Sequence, residues 1–279
     1  MNNVFILKPY LEHKVWGSNN LKKYNINIGK TKDIGEAWVI SGYKEKSSII
    51  INGEFKNHTL SEVFDMHREL FSNYKGEQYP LLAKILDCND SLSVQVHPNN
   101  KQGKNECWYF LDAKKGADIV YGHTAKTKEE FIKLVTSNKW SKLLKYKKVK
   151  PGDFVYVNAG CLHALNKGIV VYELQQSSDL TYRLYDYNRN SRPVHVKESI
   201  ASTTVPFKAP TFYKDKNTLI KTNFFTLKQI RNIGEKKYKF DEACWIQATV
   251  IDGSGTLNTK YKIKKGTSFI LSSDQKEFK

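Results

Sequence analysis

Cysteine is scarce in this chain: Cys88, Cys107, Cys161 and Cys244 are the only four in 279 residues, and no two form a Cys-x-x-Cys pair. So few and so widely spaced, they argue against a disulfide framework and for free thiols in a reducing cytoplasm. Long apolar runs are missing as well. No stretch approaches the ~20 residues needed to cross a bilayer, and Lys8 interrupts the one apolar stretch near the start, so neither an anchor nor a secretory leader is expected. Arginine is rare: of 45 basic residues only five are arginine, although the formal net charge is +17. Nucleic-acid surfaces gather arginine-rich basic residues into a stripe. The forty lysines here are scattered, which reads as solvated surface, and neither nucleic acid nor membrane is expected as a partner. No internal repeat or low-complexity segment is present.

What the chain does have is short strands between turn signals. Asn52-Gly53, Lys150-Pro-Gly-Asp153 and Asp252-Gly-Ser-Gly255 are the clearest turns, and aromatic residues, 13% of the chain, supply much of the core. The length exceeds that of the usual single domain, and the shift in composition around Ser202–Pro210, with two prolines, is the best boundary. Residues 1–205 and 206–279 are therefore expected as two domains, the second all-β. Two helices break the pattern. Thr59-Leu-Ser-Glu62 and Thr127-Lys-Glu-Glu130 both have the spacing of a capping box, predicting helices to about Ser72 and about Leu144. The stripes Val63, Phe64, Phe71 and Phe131, Leu134, Val135 read as core-facing.

The segment Ser91-Leu-Ser-Val-Gln-Val-His-Pro98 carries the chemistry. Its alternation sends Leu92, Val94 and Val96 to one face and Ser93, Gln95 and His97 to the other. Glu106 opens a second strand, Glu106-Cys-Trp-Tyr-Phe-Leu111, and a third, Asp153-Phe-Val-Tyr-Val157, runs on through Ala159-Gly160 to His163. A strand histidine taken singly is more often a hydrogen-bonded structural residue than a ligand. An amide oxygen, two imidazoles and a carboxylate converging from neighbouring strands suit a borderline-soft divalent ion such as zinc. Gln95, His97, Glu106 and His163 are thus the candidate ligands for one Zn2+. Cys107 and Cys161 stand beside them but are expected to point away. His13, His58, His67, His123 and His195 lie in polar, turn or helical settings, and His123 alone is kept as an outlying site candidate.

Arginine is clustered where it occurs. Arg183, Arg189 and Arg192 fall in Thr181-Tyr-Arg-Leu-Tyr-Asp-Tyr-Asn-Arg-Asn-Ser-Arg192, and a planar guanidinium is the preferred partner of a phosphate monoester. An anionic small substrate is expected there.

The order of these residues adds a resemblance. Gly152, five residues, Asn158-Ala-Gly160, two residues and His163 resemble the second cupin motif, with Asn158 where proline is usual. Gln95-x-His97 followed by Glu106 resembles the first, with Gln in place of its first His and a longer gap to the Glu. Val15-Trp-Gly17, Glu36-Ala-Trp38, Pro80-Leu-Leu-Ala-Lys84, Val94-Gln-Val-His-Pro98, Lys104-Asn-Glu106, Pro151-Gly-Asp153 and Gln175-Gln-Ser-Ser-Asp179 through Arg183 extend the likeness over nearly the whole chain. In these segments the chain resembles the type I mannose-6-phosphate isomerases of the cupin superfamily. The resemblance implies a mainly β fold of two jelly-roll barrels with a few short helices, the first barrel catalytic, and the second shortened after Gly266-Thr-Ser-Phe-Ile-Leu271. It implies interconversion of mannose 6-phosphate and fructose 6-phosphate through an enediol, by a monomer or weak homodimer in the cytoplasm. Lys84 and Lys104 match the family's inward lysines, Glu173 its acidic candidate base, and Asp179 and Arg183 its Asp and Arg. A lysine on a strand as apolar as that of Lys84 is costly to bury unpaired, so a contact with a carboxylate or the substrate is expected, the alternative being a surface lysine at a sheet edge. For Arg183 the alternative is a salt bridge to Asp179 or Asp186.

Two other classes stay open at this point. An iron-dependent cupin oxygenase would use the same two histidines and a carboxylate, but has no need of the arginine and lysine set. A non-enzymatic sugar-phosphate-binding module would not need all four ligands.

Overall fold

The computed structural model describes residues 4–100, 102–240 and 242–279. Its sheets are antiparallel and its helices short, so the expectation of a mainly β chain holds. No helix among the described residues is long and apolar enough to cross a membrane.

Both predicted helices start where the caps place them and stop early. Thr59 Oγ1 accepts the Glu62 amide at 3.2 Å while the Glu62 carboxylate accepts the Thr59 amide at 2.8 Å, a complete capping box. That helix, Leu60–Met66, ends at His67 and continues only as a 3-10 turn, Arg68–Phe71, closed by Ser72 at φ 54°. At Thr127 the box is half formed, because the Glu130 carboxylate takes the Lys126 amide at 2.7 Å instead. The helix Lys128–Thr136 breaks where Ser137 Oγ donates back to the Lys133 carbonyl and Asn138 adopts φ 54°, leaving Trp140–Leu143 as a separate turn.

The residues group into two compact units. One comprises the described residues up to Lys14 together with Ser18–Ile85 and Gln229–Lys279; the other comprises Val15–Gly17 and Leu86–Lys228. The boundary expected at 205/206 falls inside the second. In the first unit the strand Ser268–Leu271 is buried along its whole length and pairs on one side with Val4–Lys8 and on the other with Ile246–Thr249. A strand apolar on both faces needs cover on both, and its edges need partners. The amino-terminal strand supplies one of those partners, and Val4, Leu257, Phe269 and Leu271 form the core beside it.

The second unit holds two facing sheets. One contains Phe154–Val157, Glu106–Ala113 and Ile169–Gln176 in that order; the other contains Tyr182–Tyr185, Val94–Val96, His163–Leu165, Asp118–His123 and Leu144–Lys148. Trp108, Phe110, Val155, Val157 and Val171 from the first sheet meet Ile119 and Leu165 from the second in one core, with Leu92 and Cys161. Each such side chain contributes on the order of 1.5–3 kcal/mol by leaving water. The other face of the second sheet, Val94, Val96, Val120 and Ala164, packs on Phe131, Val135 and Leu143 from the helical segment. Strand alternation therefore sends the apolar residues of Val94–Val96 outward to the helices and leaves Gln95 facing the space between the sheets.

Candidate metal centre

Register brings the expected ligands together. Glu106 opens its strand opposite Val157 on one side and Gln175 on the other. On the facing sheet Gln95 lies between His163 and Arg183. The loop before His163 is held by Gly160, whose amide donates to the His97 carbonyl at 2.9 Å. Gly160 has φ 84°, and a Cβ there would meet Thr204 Oγ1 at 2.3 Å, so only glycine fits.

His97, Glu106 and His163 are each about 1% exposed, and their ligand atoms lie within 4.8 Å of one another. His97 Nε2 is 3.3 Å from Glu106 Oε2, and His163 Nε2 is 3.3 Å from Glu106 Oε1. The far nitrogens fix the tautomers. His97 Nδ1 donates to the Leu180 carbonyl at 3.0 Å and His163 Nδ1 to the Cys161 carbonyl at 2.9 Å. Neutral rings held this way turn unprotonated Nε2 lone pairs toward the carboxylate. Neither Glu106 oxygen nor His97 Nε2 has a hydrogen bond of good geometry. Three electron-rich atoms facing one another in a dry site are what a divalent cation fits. Gln95 adds its amide, Nε2 standing 3.3 Å from His163 Nε2, and half a turn of the amide presents Oε1 there instead.

The charges agree with this. Burial works to raise the Glu106 pKa, but the Lys104 ammonium and then His97 outweigh it and hold the carboxyl well below the usual range. Burial, followed by the Lys104 charge, pushes His97 down to about 4, and burial lowers His163 too. At neutral pH the site therefore presents one carboxylate and two neutral imidazoles. Cys107 and Cys161 stay out of it: Cys107 lies opposite Leu174 on the other face of its strand, Cys161 lies in the apolar core, and burial raises both thiols, Cys161 to about 12.

The remaining expected residues divide. Lys104 is buried, 3.2 Å from Glu106 Oε2, and donates to Gln175 Oε1 at 2.8 Å. Glu173 is buried on the same face as Gln175 and accepts the Trp108 indole N–H at 2.9 Å. Trp108, in turn, stands edge-on to the His163 ring at 5.5 Å. The alternation Glu106, Trp108 is the sequence signal that places this indole on the face of the candidate ligands. Lys84 belongs to the other unit. Its ammonium is 3.3 Å from Glu36 Oε2 and 4.7 Å above the Trp38 ring, so it has the carboxylate contact expected of it. Asp179 is exposed on the segment before Tyr182–Tyr185 and acts on Arg183 through its charge.

The arginine cluster is not three equivalent anion ligands. Asp186, 2% exposed, takes Arg189 at 2.6 Å and Arg192 at 2.7 Å. Arg183 forms no ion pair among the described residues, and its buried Nε has no hydrogen-bond partner. His123 lies apart, its Nε2 donating to the Thr204 carbonyl at 3.0 Å and its ring against Phe131.

Residues 4–139 match the family described as phosphomannose isomerase type I, catalytic domain, and residues 215–279 the mannose-6-phosphate isomerase cupin domain. The chain is 38% identical over 297 residues to mannose-6-phosphate isomerase ManA of Bacillus subtilis (strain 168), covering 98% of this chain and 94% of the relative. It is 39% identical over 297 residues to mannose-6-phosphate isomerase of Streptococcus mutans serotype c, covering 97% and 93%. The crystal structure of the Bacillus subtilis mannose 6-phosphate isomerase superposes with a TM-score of 0.92 at 36% identity, over 99% of this chain and 96% of that one. A zinc-bound mannose 6-phosphate isomerase at 15% identity shares the fold, with a TM-score of 0.79 over 99% and 96% of the two chains. By sequence along almost its entire length, and by fold, the chain belongs to the type I phosphomannose isomerase family.

Proposed function

We propose that this protein interconverts mannose 6-phosphate and fructose 6-phosphate at the site around Glu106. The observation that carries the reading is the donor set: a buried carboxylate between two imidazoles whose tautomers are fixed by the Leu180 and Cys161 carbonyls. His97, Glu106 and His163 would hold a zinc ion, with Gln95 as a weaker fourth ligand. When bound, the ion supplies Lewis-acid polarisation of the C1 and C2 oxygens.

The chain's own residues then have distinct tasks. Glu173 takes the proton from C2 and returns it to C1, passing through an enediol, and the Trp108 N–H orients its carboxylate. Lys104 keeps Glu106 anionic and ties it to Gln175. Arg183, with its guanidinium unclaimed by Asp186, anchors the phosphate by charge-assisted hydrogen bonds. Lys84 and Asp179 are assigned no step. Catalysis is assigned to residues 1–205, with 206–279 as supporting β structure. The four free cysteines suit a cytoplasmic enzyme. The test is mannose 6-phosphate isomerisation by the purified protein before chelation, after chelation and after zinc is restored. Turnover that survives complete removal of metal sinks the proposal.

A further inference from the structure

The strand that carries Arg183, Tyr182–Tyr185, is the edge of its sheet. Arg183 is paired with Gln95 on the inner side, and the register shifts between Arg183 and Tyr185. An edge strand leaves its outward N–H and C=O groups without a ladder, and each must find another partner. At Arg183 one residue supplies both. The His195 amide donates to the Arg183 carbonyl at 2.7 Å, and the Arg183 amide donates to His195 Nδ1 at 3.2 Å. The His195 carbonyl also accepts the Ser199 amide at 2.8 Å, which ties the first turn of the helix Val196–Ser202 to the same point.

A backbone N–H can only donate, so the ring nitrogen facing it must be an unprotonated acceptor. His195 is therefore held as the tautomer with its proton on Nε2, the reverse of His97 and His163, whose Nδ1 atoms donate to carbonyls. We infer that His195 is a positioning residue for Arg183: its neutral imidazole completes the edge of the sheet and fixes the main chain from which the arginine reaches the substrate. This rests on the proposed role of Arg183 in binding the phosphate. The side chain of Asn is the one that best replaces the ring, because its Oδ1 occupies nearly the place of Nδ1 and accepts without being able to donate there.

The experiment compares parent, His195→Ala, His195→Asn, Arg183→Ala and the double variant His195→Ala/Arg183→Ala, all zinc-loaded, with mannose 6-phosphate as substrate. His195→Ala is expected to raise KM by roughly tenfold with a smaller change in kcat, and His195→Asn to restore most of the loss. In the Arg183→Ala background the His195→Ala change should add nothing further, since residues that act through one another are not additive. An undiminished His195→Ala effect in that background overturns the inference, as does an Asn variant no better than Ala. If Arg183→Ala itself leaves KM unchanged, the phosphate reading fails rather than the linkage between the two residues. That linkage is read separately, from the imidazole 15N shifts of the parent protein. A proton on Nδ1 of His195 at neutral pH overturns it even if the variants do not fold.

Discussion

Replacing His97 by alanine should abolish the response of the protein to zinc, and the size of the effect can be worked out beforehand. A metal that binds only the folded state adds about 2.7 kcal/mol when present at a hundred times its dissociation constant. For a chain of this size each kcal/mol moves Tm by roughly 2–4 °C, so chelation should lower the Tm of the parent by about 5–10 °C. In His97→Ala the site retains Glu106, His163 and Gln95 but loses an imidazole that stands 3.3 Å from the carboxylate. The substitution also leaves the Leu180 carbonyl without its donor, at a cost of about 1–3 kcal/mol independent of metal. The two effects separate in one experiment: the metal-free Tm falls by the second, and the difference between zinc-loaded and chelated protein collapses by the first. Thermal melts with and without chelator, paired with elemental analysis, measure both. His97→Ala protein that keeps a full complement of zinc, or an undiminished Tm response, would remove this residue from the site. Cys107→Ser is the control and should leave zinc content and the zinc-dependent difference in Tm unchanged, because that thiol lies on the opposite face of its strand.

Glu173→Gln keeps the shape of the side chain and should retain zinc, yet isomerise at least roughly 10²-fold more slowly. Exchange of the C2 proton with deuterated solvent checks this, and parental exchange would hand the base to another group. Phe110→Ala empties a fully buried position between the two sheets and should cost about 3–5 kcal/mol, measured by denaturant unfolding of zinc-loaded protein, whereas a loss under about 1 kcal/mol would contradict the packing. His123 gives a pH dependence whose sign is fixed. Burial lowers its pKa in the folded protein below the usual 6.5, so the unfolded chain takes up the proton first. Stability is intact above that value and falls as pH drops through it toward the lowered one, by at most about 1.4 kcal/mol per pH unit from this group. His123→Phe should flatten the stability profile between pH 7 and pH 5, and an unchanged slope would show that the ring is not held neutral.

Much of this was legible because period-two alternation needs only local sequence. Gln95 and His97 share a face as the pattern Ser93, Gln95, His97 requires, and Glu106 and His163 join them across the register. The helix starts were legible for the same reason, since a cap is a contact over three residues. Their early ends were not: Asn138 in a left-handed conformation and the exit at His67 are set by what the helices pack against. The amino-terminal strand could not be paired with Ser268–Leu271 from sequence, because no local signal spans the chain. Nor could the three arginines be told apart. All fit an anion site by type, and only the burial of Asp186 beneath Arg189 and Arg192 tells those two from Arg183.

Histidine shows most sharply what residue type alone withholds. His97, His163 and His195 are the same side chain, and what each can do depends on whether its Nδ1 faces a carbonyl or an amide. A carbonyl at 3.0 Å or 2.9 Å accepts a hydrogen bond from Nδ1–H, which keeps the proton on Nδ1 and leaves the Nε2 lone pair open. An amide at 3.2 Å does the opposite, so His195 can hold Arg183 through Nδ1 while its other nitrogen keeps the proton. That choice is made by Leu180, Cys161 and Arg183 through their main chains, whose side chains are irrelevant to it. Substituting those residues would leave the tautomers in place as long as the backbone stayed put. The chemistry of this site is thus written partly in the path of the chain, which is why strand register, more than the list of residues, decides which histidines can bind a metal and which can only position a neighbour.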